Sequence, residues 1–409
     1  MMKMTLRLML AFAIMRSCTA YSANSEASSG PVFAGAGELP AYTFACTDGL
    51  YASISGTLRI KNVKVRNEKS LNLIVAGFAR SVSIKAVIQD HSAPLTVVIL
   101  GLSGKTNADY SKVWPAWLSD AGHHVLYFDS TFGSSFHKVS RHGVSGNLWA
   151  ETERIRDIIT AFLDHPDMRG KVSEIGIAGY SYGGVQALLL GQMAKVKKLP
   201  FTISGIQAYS PPIDLLKTAE ILDAWYRTDR WNFTAAELQR MFRKLPSFDV
   251  RPEKISESAM RAAVADVFRT ELSDVVLATD AIYNLGNLPK GNDFDHQYIK
   301  IEYAQSYGFL AFARKFARPY WQAKLSEEEI NRLADQTNLC RLLQEQPAYS
   351  ETIISADDPF NTLEDLNKFK GCAVGHRLTV LPRGGHIGYM SDEWTRAKLL
   401  TLTSPAPKN

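Results

Sequence analysis

Short unbroken apolar runs alternate with segments whose apolar positions recur every three or four residues. Residues 94–100 (Pro-Leu-Thr-Val-Val-Ile-Leu) form one such run, as expected of a parallel strand buried on both faces. Residues 124–128, 172–178, 203–209, 352–356 and 377–381 read the same way. Between them, residues 148–163 set Ile155, Ile158, Ile159 and Phe162 at helical spacing, and residues 185–193 are rich in apolar helix formers. Strand and helix in alternation predict an α/β fold with a mostly parallel central sheet flanked by helices. Ahead of these units, the β-like stretches 57–61 and 71–75 predict antiparallel strands that open the sheet. No internal repeat is evident.

The rhythm changes across residues 212–348, where strand character fades. Thr234-Ala-Ala-Glu237 and Ser326-Glu-Glu-Glu329 are capping-box patterns that start helices. Trp225, Tyr226, Trp231, Tyr283, Tyr298, Tyr303, Tyr307, Tyr320 and Trp321 fall in the same stretch. This predicts a large inserted helical cap, with most of these rings packed in its own core rather than lining a pocket. Asn232-Phe233-Thr234 is a glycosylation sequon, meaningful only for a secreted chain in a eukaryotic host.

The chemistry centres on Gly179-Tyr180-Ser181-Tyr182-Gly183-Gly184, which follows the strand at 172–178 and precedes an apolar helix. Strand, G-x-S-x-G, helix is the context of a nucleophile elbow: small residues permit a sharp turn that exposes the serine hydroxyl beside a helix N-terminus. A serine needs a base, and the base needs an orienting acid. Asp357 and Asp358 follow one strand and His386 follows another, each just past a strand's C-terminal end. Asp358 is the preferred acid because Phe360 can enter the core behind it, while Asp-Asp-Pro is also ordinary turn chemistry. His376 is a rival base, but it stands at the start of its strand. The His123-His124 pair lacks metal-site spacing. Oxyanion donors are expected from the backbone N–H of Leu102, in the glycine-bounded loop 101–104, and that of Tyr182.

In order and spacing these motifs resemble the YheT-like branch of the α/β-hydrolases, a set of esterases and lipid hydrolases. The matching pieces are Gly101-Leu-Ser-Gly-Lys-Thr-Asn-Ala-Asp-Tyr110, Gly143-Val-Ser-Gly146, Gly179 to Gly184, Ser210-Pro-Pro-Ile-Asp-Leu215, Ala356-Asp-Asp-Pro-Phe360 and Gly384-Gly-His-Ile-Gly-Tyr389. The resemblance covers roughly residues 94–215 and 350–400. It implies an α/β-hydrolase fold, with Ser181 as nucleophile, Asp358 as acid and His386 as base. It also implies an acyl-enzyme mechanism without metal or organic cofactor. Two departures stand out: Leu100 replaces the histidine usual before the oxyanion loop, and the segment between Leu215 and Glu351 is long for the family.

Composition adds bounds. The chain has 409 residues, 46% hydrophobic and 21% charged, ordinary for a globular protein with a substantial core. Lys3 and Arg7, the apolar run 8–15 and the small residues Cys18-Thr19-Ala20 read as an export signal ending near residue 20, too short to span a bilayer. Its removal takes Lys3, Arg7 and Arg16 with it, lowering the formal charge from +5 to +2. With no basic block or phosphate loop elsewhere, a nucleic-acid role is excluded. Of the remaining cysteines, Cys340 and Cys372 could pair in an oxidising compartment and Cys46 is left over. The expected organisation is a signal peptide at 1–20, a flexible lead-in at 21–45, a hydrolase core at 46–211 and 349–409, and a lid at 212–348. The expected substrate is a small-molecule or lipid ester. The same triad would also serve an amidase, peptidase or acyltransferase, and a non-catalytic ligand-binding protein of this fold is the remaining alternative.

Overall fold

The computed structural model describes residues 39–229, 256–289 and 294–403. The export signal, the lead-in up to residue 38, Trp231, the Asn232 sequon and the Thr234 capping box lie outside the described residues.

Eight strands form one sheet: β1 (Glu68–Leu73), β2 (Val82–Val87), β3 (Ala93–Ile99), β4 (His124–Phe128), β5 (Val172–Tyr180), β6 (Gly205–Tyr209), β7 (Ser350–Ser355) and β8 (Arg377–Leu381). Their order is β1-β2-β4-β3-β5-β6-β7-β8. β2 pairs antiparallel with both β1 and β4, and every later pairing is parallel. This arrangement is the α/β-hydrolase fold. The chain steps from β3 outward to β4, then crosses back to β5 on the other flank of β3. The carboxyl ends of β3 and β5 are therefore the switch point, where ligands collect in open α/β sheets.

Two-residue alternation explains how the sheet is buried. Along β3, Leu95, Val97 and Ile99 face one core with Ile155, Ile159 and Leu188, from the helices Leu148–Leu163 and Tyr182–Val196. Val98 faces the other core with Tyr127, Tyr180 and Tyr209. That side is closed by Trp114 and Leu118 of helix Asp109–Asp120 and by Leu399 of helix Glu393–Leu400.

The opening of the sheet differs from expectation at one place. Residues 57–61 are no strand; Gly49–Leu58 is a helix, capped by Asp48, whose carboxylate accepts from Tyr51 N–H at 2.8 Å. The face of this helix carrying Gly49, Ala52, Ser53 and Gly56 is made of small residues at helical spacing, and it lies against the loop 384–388. A Cβ on Gly56 would meet Gly388 Cα at 2.4 Å. Hydrophobic periodicity misses such a face because what it buries is backbone.

Between β6 and β7 the described chain is helical, and Glu257–Tyr283 is its longest element, with 27 residues. The Ser326 capping box is present: its hydroxyl accepts from Glu329 N–H, and the Glu329 carboxylate accepts from Ser326 N–H. Cys340 and Cys372 form a disulfide that ties helix Leu339–Leu343 to helix Leu363–Cys372; Cys46 is free. None of the described helices is long and apolar enough to cross a membrane.

Candidate active site

Ser181 sits between β5 and the helix Tyr182–Val196 with φ 55° and ψ −126°, a conformation few L-residues adopt. Its neighbours make that turn possible. A Cβ on Gly179 would come within 2.1 Å of Gly183 O, and one on Gly183 within 2.3 Å of Ile99 O. Ser181 N–H donates to Tyr209 O at 2.8 Å, fixing the turn to β6.

The three residues expected to act together are brought together. His386 Nε2 lies 2.8 Å from Ser181 Oγ, and its Nδ1 lies 2.8 Å from Asp358 Oδ2. All three are buried: Ser181 is 8% exposed, His386 6% and Asp358 2%. A carboxylate accepts only, so it selects the tautomer with the proton on Nδ1, and Nε2 presents its lone pair to the serine hydroxyl. Asp358 Oδ1 also accepts from Phe360 N–H at 3.0 Å. The Phe360 ring stands edge-on to the imidazole, centroids 4.7 Å apart.

Asp357 occupies a different position. Its Oδ1 accepts from Gly385 N–H at 2.8 Å, so it shapes the loop that carries the imidazole. That loop is tight. Gly385 has φ 59°, and a Cβ there would meet Gly49 O at 2.0 Å. His386 N–H donates to Ser53 Oγ at 2.7 Å, a contact the sequence does not announce. His376, the rival base, shares a hydrogen bond with Thr352 Oγ1 beside the start of β8; burial pulls its pKa down to about 4. His123 and His124 bond to Thr96 and Lys171 respectively, inside the scaffold.

Leu102 follows β3 in a turn closed by Gly104 N–H to Gly101 O at 2.8 Å, which leaves the Leu102 N–H unused by the turn itself. The turn is adjacent to the nucleophile: a Cβ on Gly101 would lie 3.3 Å from Ser181 Cβ. Tyr182 is the first residue of its helix, where N–H groups have no partner within the helix. Both residues are thus near the serine in the chain or in space: Tyr182 follows it directly, and Leu102 follows the glycine packed against it.

One buried charge near the site escaped the sequence reading. Glu151 is fully buried, and its carboxylate bonds to Gly146 N–H, Thr131 Oγ1, Tyr182 OH and Gln186 Nε2. The available signal was a glutamate inside the apolar stripe of helix Leu148–Leu163, between Leu148 and Ile155.

No protein-family model matches this sequence, and no curated protein does. Similar solved structures include an esterase of Pyrococcus furiosus, at 13% identity and TM-score 0.43 over 82% of this chain and 90% of that one. An acylaminoacyl peptidase of Pyrococcus horikoshii has 11% identity and TM-score 0.44, over 83% of this chain and 40% of its own. The thioesterase domain from the curacin biosynthetic pathway has 14% identity and TM-score 0.42, over 82% of this chain and 99% of its own. All three stand far below the similarity at which substrate or mechanism transfers.

Proposed function

We propose that the protein is a serine hydrolase that cleaves carboxylic esters through an acyl-enzyme. The observation that carries this reading is His386 held between Ser181 and Asp358 by two 2.8 Å contacts, with the serine on a strained turn at the switch point of the sheet.

His386 Nε2 takes the Ser181 proton as Oγ attacks the ester carbonyl carbon. Charge developing on the carbonyl oxygen is met by the N–H groups of Leu102 and Tyr182. The tetrahedral adduct collapses as Nε2–H protonates the departing alkoxide, leaving the acyl group on Oγ. Water then gives its proton to Nε2 and attacks the acyl carbon. The second adduct expels Oγ, which recovers its proton from His386, and the carboxylic acid leaves. Asp358 keeps the imidazole in the required tautomer and stabilises its cationic form.

Residues 212–348 serve in this account as a cap over the core formed by 46–211 and 349–409. Contact between the two supports it: Trp225 and Phe268, both from the helical segment, pack against Phe360, the ring that touches His386. The Cys340–Cys372 disulfide supports export to an oxidising compartment. Motif order and spacing support a place in the YheT-like branch.

The test is a series of nitrophenyl esters of graded acyl length beside the matching nitroanilides. Ester turnover with a distinct acyl-length optimum and negligible anilide turnover is the expected result. Turnover of anilides alone would replace the reading with an amidase.

A further inference from the structure

Glu151 is a buried carboxylate that the triad chemistry does not use, and its partners form an unusual set. Gly146 N–H reaches Oε1 at 2.9 Å. Oε2 is met by Thr131 Oγ1 at 2.8 Å, Tyr182 OH at 2.8 Å and Gln186 Nε2 at 2.9 Å. A backbone N–H and an amide NH2 can only donate. Thr131 Oγ1 already accepts from Gln186 Nε2 at 2.5 Å, which turns its own proton toward Glu151. The carboxyl group is thus surrounded by four hydrogen-bonding groups, whose bonds to it are strongest when it is ionised. Burial raises the Glu151 pKa above the ordinary carboxylate value, and these hydrogen bonds offset only part of that rise. Burial also lifts the Tyr182 phenol well above its usual range, so its hydroxyl stays a donor.

The donors come from three separate pieces of the carboxyl edge of the sheet. Thr131 lies past β4, Gly146 immediately precedes the helix Leu148–Leu163, and Tyr182 and Gln186 occupy successive turns of the nucleophile helix. Tyr182 is also the residue whose N–H borders Ser181. Its ring is pinned at the far end by Glu151 and edge-on by Phe132, 5.8 Å between centroids.

We propose that Glu151 is a positioning residue of the oxyanion site, which clamps the side chain of Tyr182 and so holds the Tyr182 N–H where transition-state charge develops. The proposal rests on the serine-hydrolase reading. It predicts a loss confined to the transition state, because ground-state binding makes little use of that N–H.

The experiment compares wild type with Glu151→Gln and Tyr182→Phe in the full chain. The readouts are kcat, KM, affinity for a trifluoromethyl ketone that forms the tetrahedral adduct, fluorophosphonate labelling and thermal midpoint. Removing a whole oxyanion donor costs about 100- to 1000-fold in kcat, so a displaced one should cost roughly 10- to 100-fold. Both variants are expected to lose that factor in kcat and a similar factor in ketone affinity, with KM changed by less than about threefold. Tyr182→Phe removes one oxygen atom and keeps the packing, so it reads the proposal even if Glu151→Gln does not fold. Wild-type kcat and ketone affinity in a folded Tyr182→Phe would overturn the proposal, as would a lowered thermal midpoint with unchanged kcat. Failure of wild type to label would instead strike the serine-hydrolase reading beneath it.

Discussion

The carboxyl edge of the sheet and the helical segment between β6 and β7 are secured differently. At the edge, Ser181, Asp358 and His386 are buried, and hydrogen bonds join them to one another and to Ser53, Ser355 and Asp357 around the His386 loop. The helical segment shares an apolar core with the sheet: Leu272, Val275, Val276, Phe312 and Phe316 pack in one cluster with Ile99, Phe132 and Leu188. Within the segment, Arg269 pairs with Asp223 at 3.2 Å, and Asp223 also accepts from Phe309 N–H and Leu310 N–H. Tyr283 OH accepts from Gly143 N–H and Trp321 Nε1 donates to Val144 O, so two anchors fall on the loop that also gives Gly146 to Glu151. Lys105, just past the turn 101–104, pairs with Glu271 at 2.6 Å. The first region is held by polar bonds around three side chains; the second is held by apolar packing shared with the sheet, with polar contacts beside it. Substitutions at the edge should therefore register in kcat, and those in the helical segment in stability and KM.

The largest expected effect separates the two aspartates. Asp358→Asn should lower kcat by about 10⁴-fold through loss of the correct tautomer. Asp357→Asn keeps an oxygen for Gly385 N–H and should cost about tenfold or less. Steady-state kinetics decide, and a reversed ranking would move the acid to Asp357. Next, Asp223→Ala removes the carboxylate that takes Arg269, Phe309 N–H and Leu310 N–H together and should destabilise the fold by about 2–4 kcal/mol. Urea unfolding measures this. A loss under about 1 kcal/mol would show that the helical segment does not depend on that anchor.

Reduction of the Cys340–Cys372 bond, which closes a sequence separation of 32, should cost roughly 3–4 kcal/mol by chain entropy. Activity of the reduced, still-folded protein should stay within about twofold, and a collapse of kcat would mean that the bond also holds the site.

A smaller effect depends on pH. His137 and His142 are buried and stacked, 4.8 Å between ring centroids; burial lowers the His137 pKa to about 4 and that of His142 well below its usual value. Both are neutral in the fold, so the unfolded chain binds more protons as pH falls below 6.5. Their contribution is complete above about 6.5 and is lost toward pH 4, amounting for His137 to roughly 3 kcal/mol. His137→Gln should flatten the dependence of stability on pH between 6.5 and 4. An unchanged slope would contradict the assignment.

The strands around the site could be read from apolar runs ended by glycine or aspartate, because parallel strands covered on both faces need continuous hydrophobicity. β8 runs Arg377–Leu381 as expected, and β5 extends two residues past the expected end at 178, to Tyr180. That Ser181, Asp358 and His386 would meet was legible because each follows such a run. Helix Gly49–Leu58 was not, since its buried face is built of small residues that make room for the His386 loop. Glu151 was hidden for the opposite reason: a charge on an apolar helix face makes sense only once its donors converge from three segments. The disulfide likewise depended on two helices meeting in space, which spacing along the chain does not reveal.

The most direct test of the account is intact-mass analysis of the purified protein after treatment with a fluorophosphonate, beside Ser181→Ala. The account predicts one adduct per wild-type chain, mapped to the peptide carrying Ser181, and none on the variant. Equal labelling of a folded Ser181→Ala, or no labelling of a folded wild type, would contradict it.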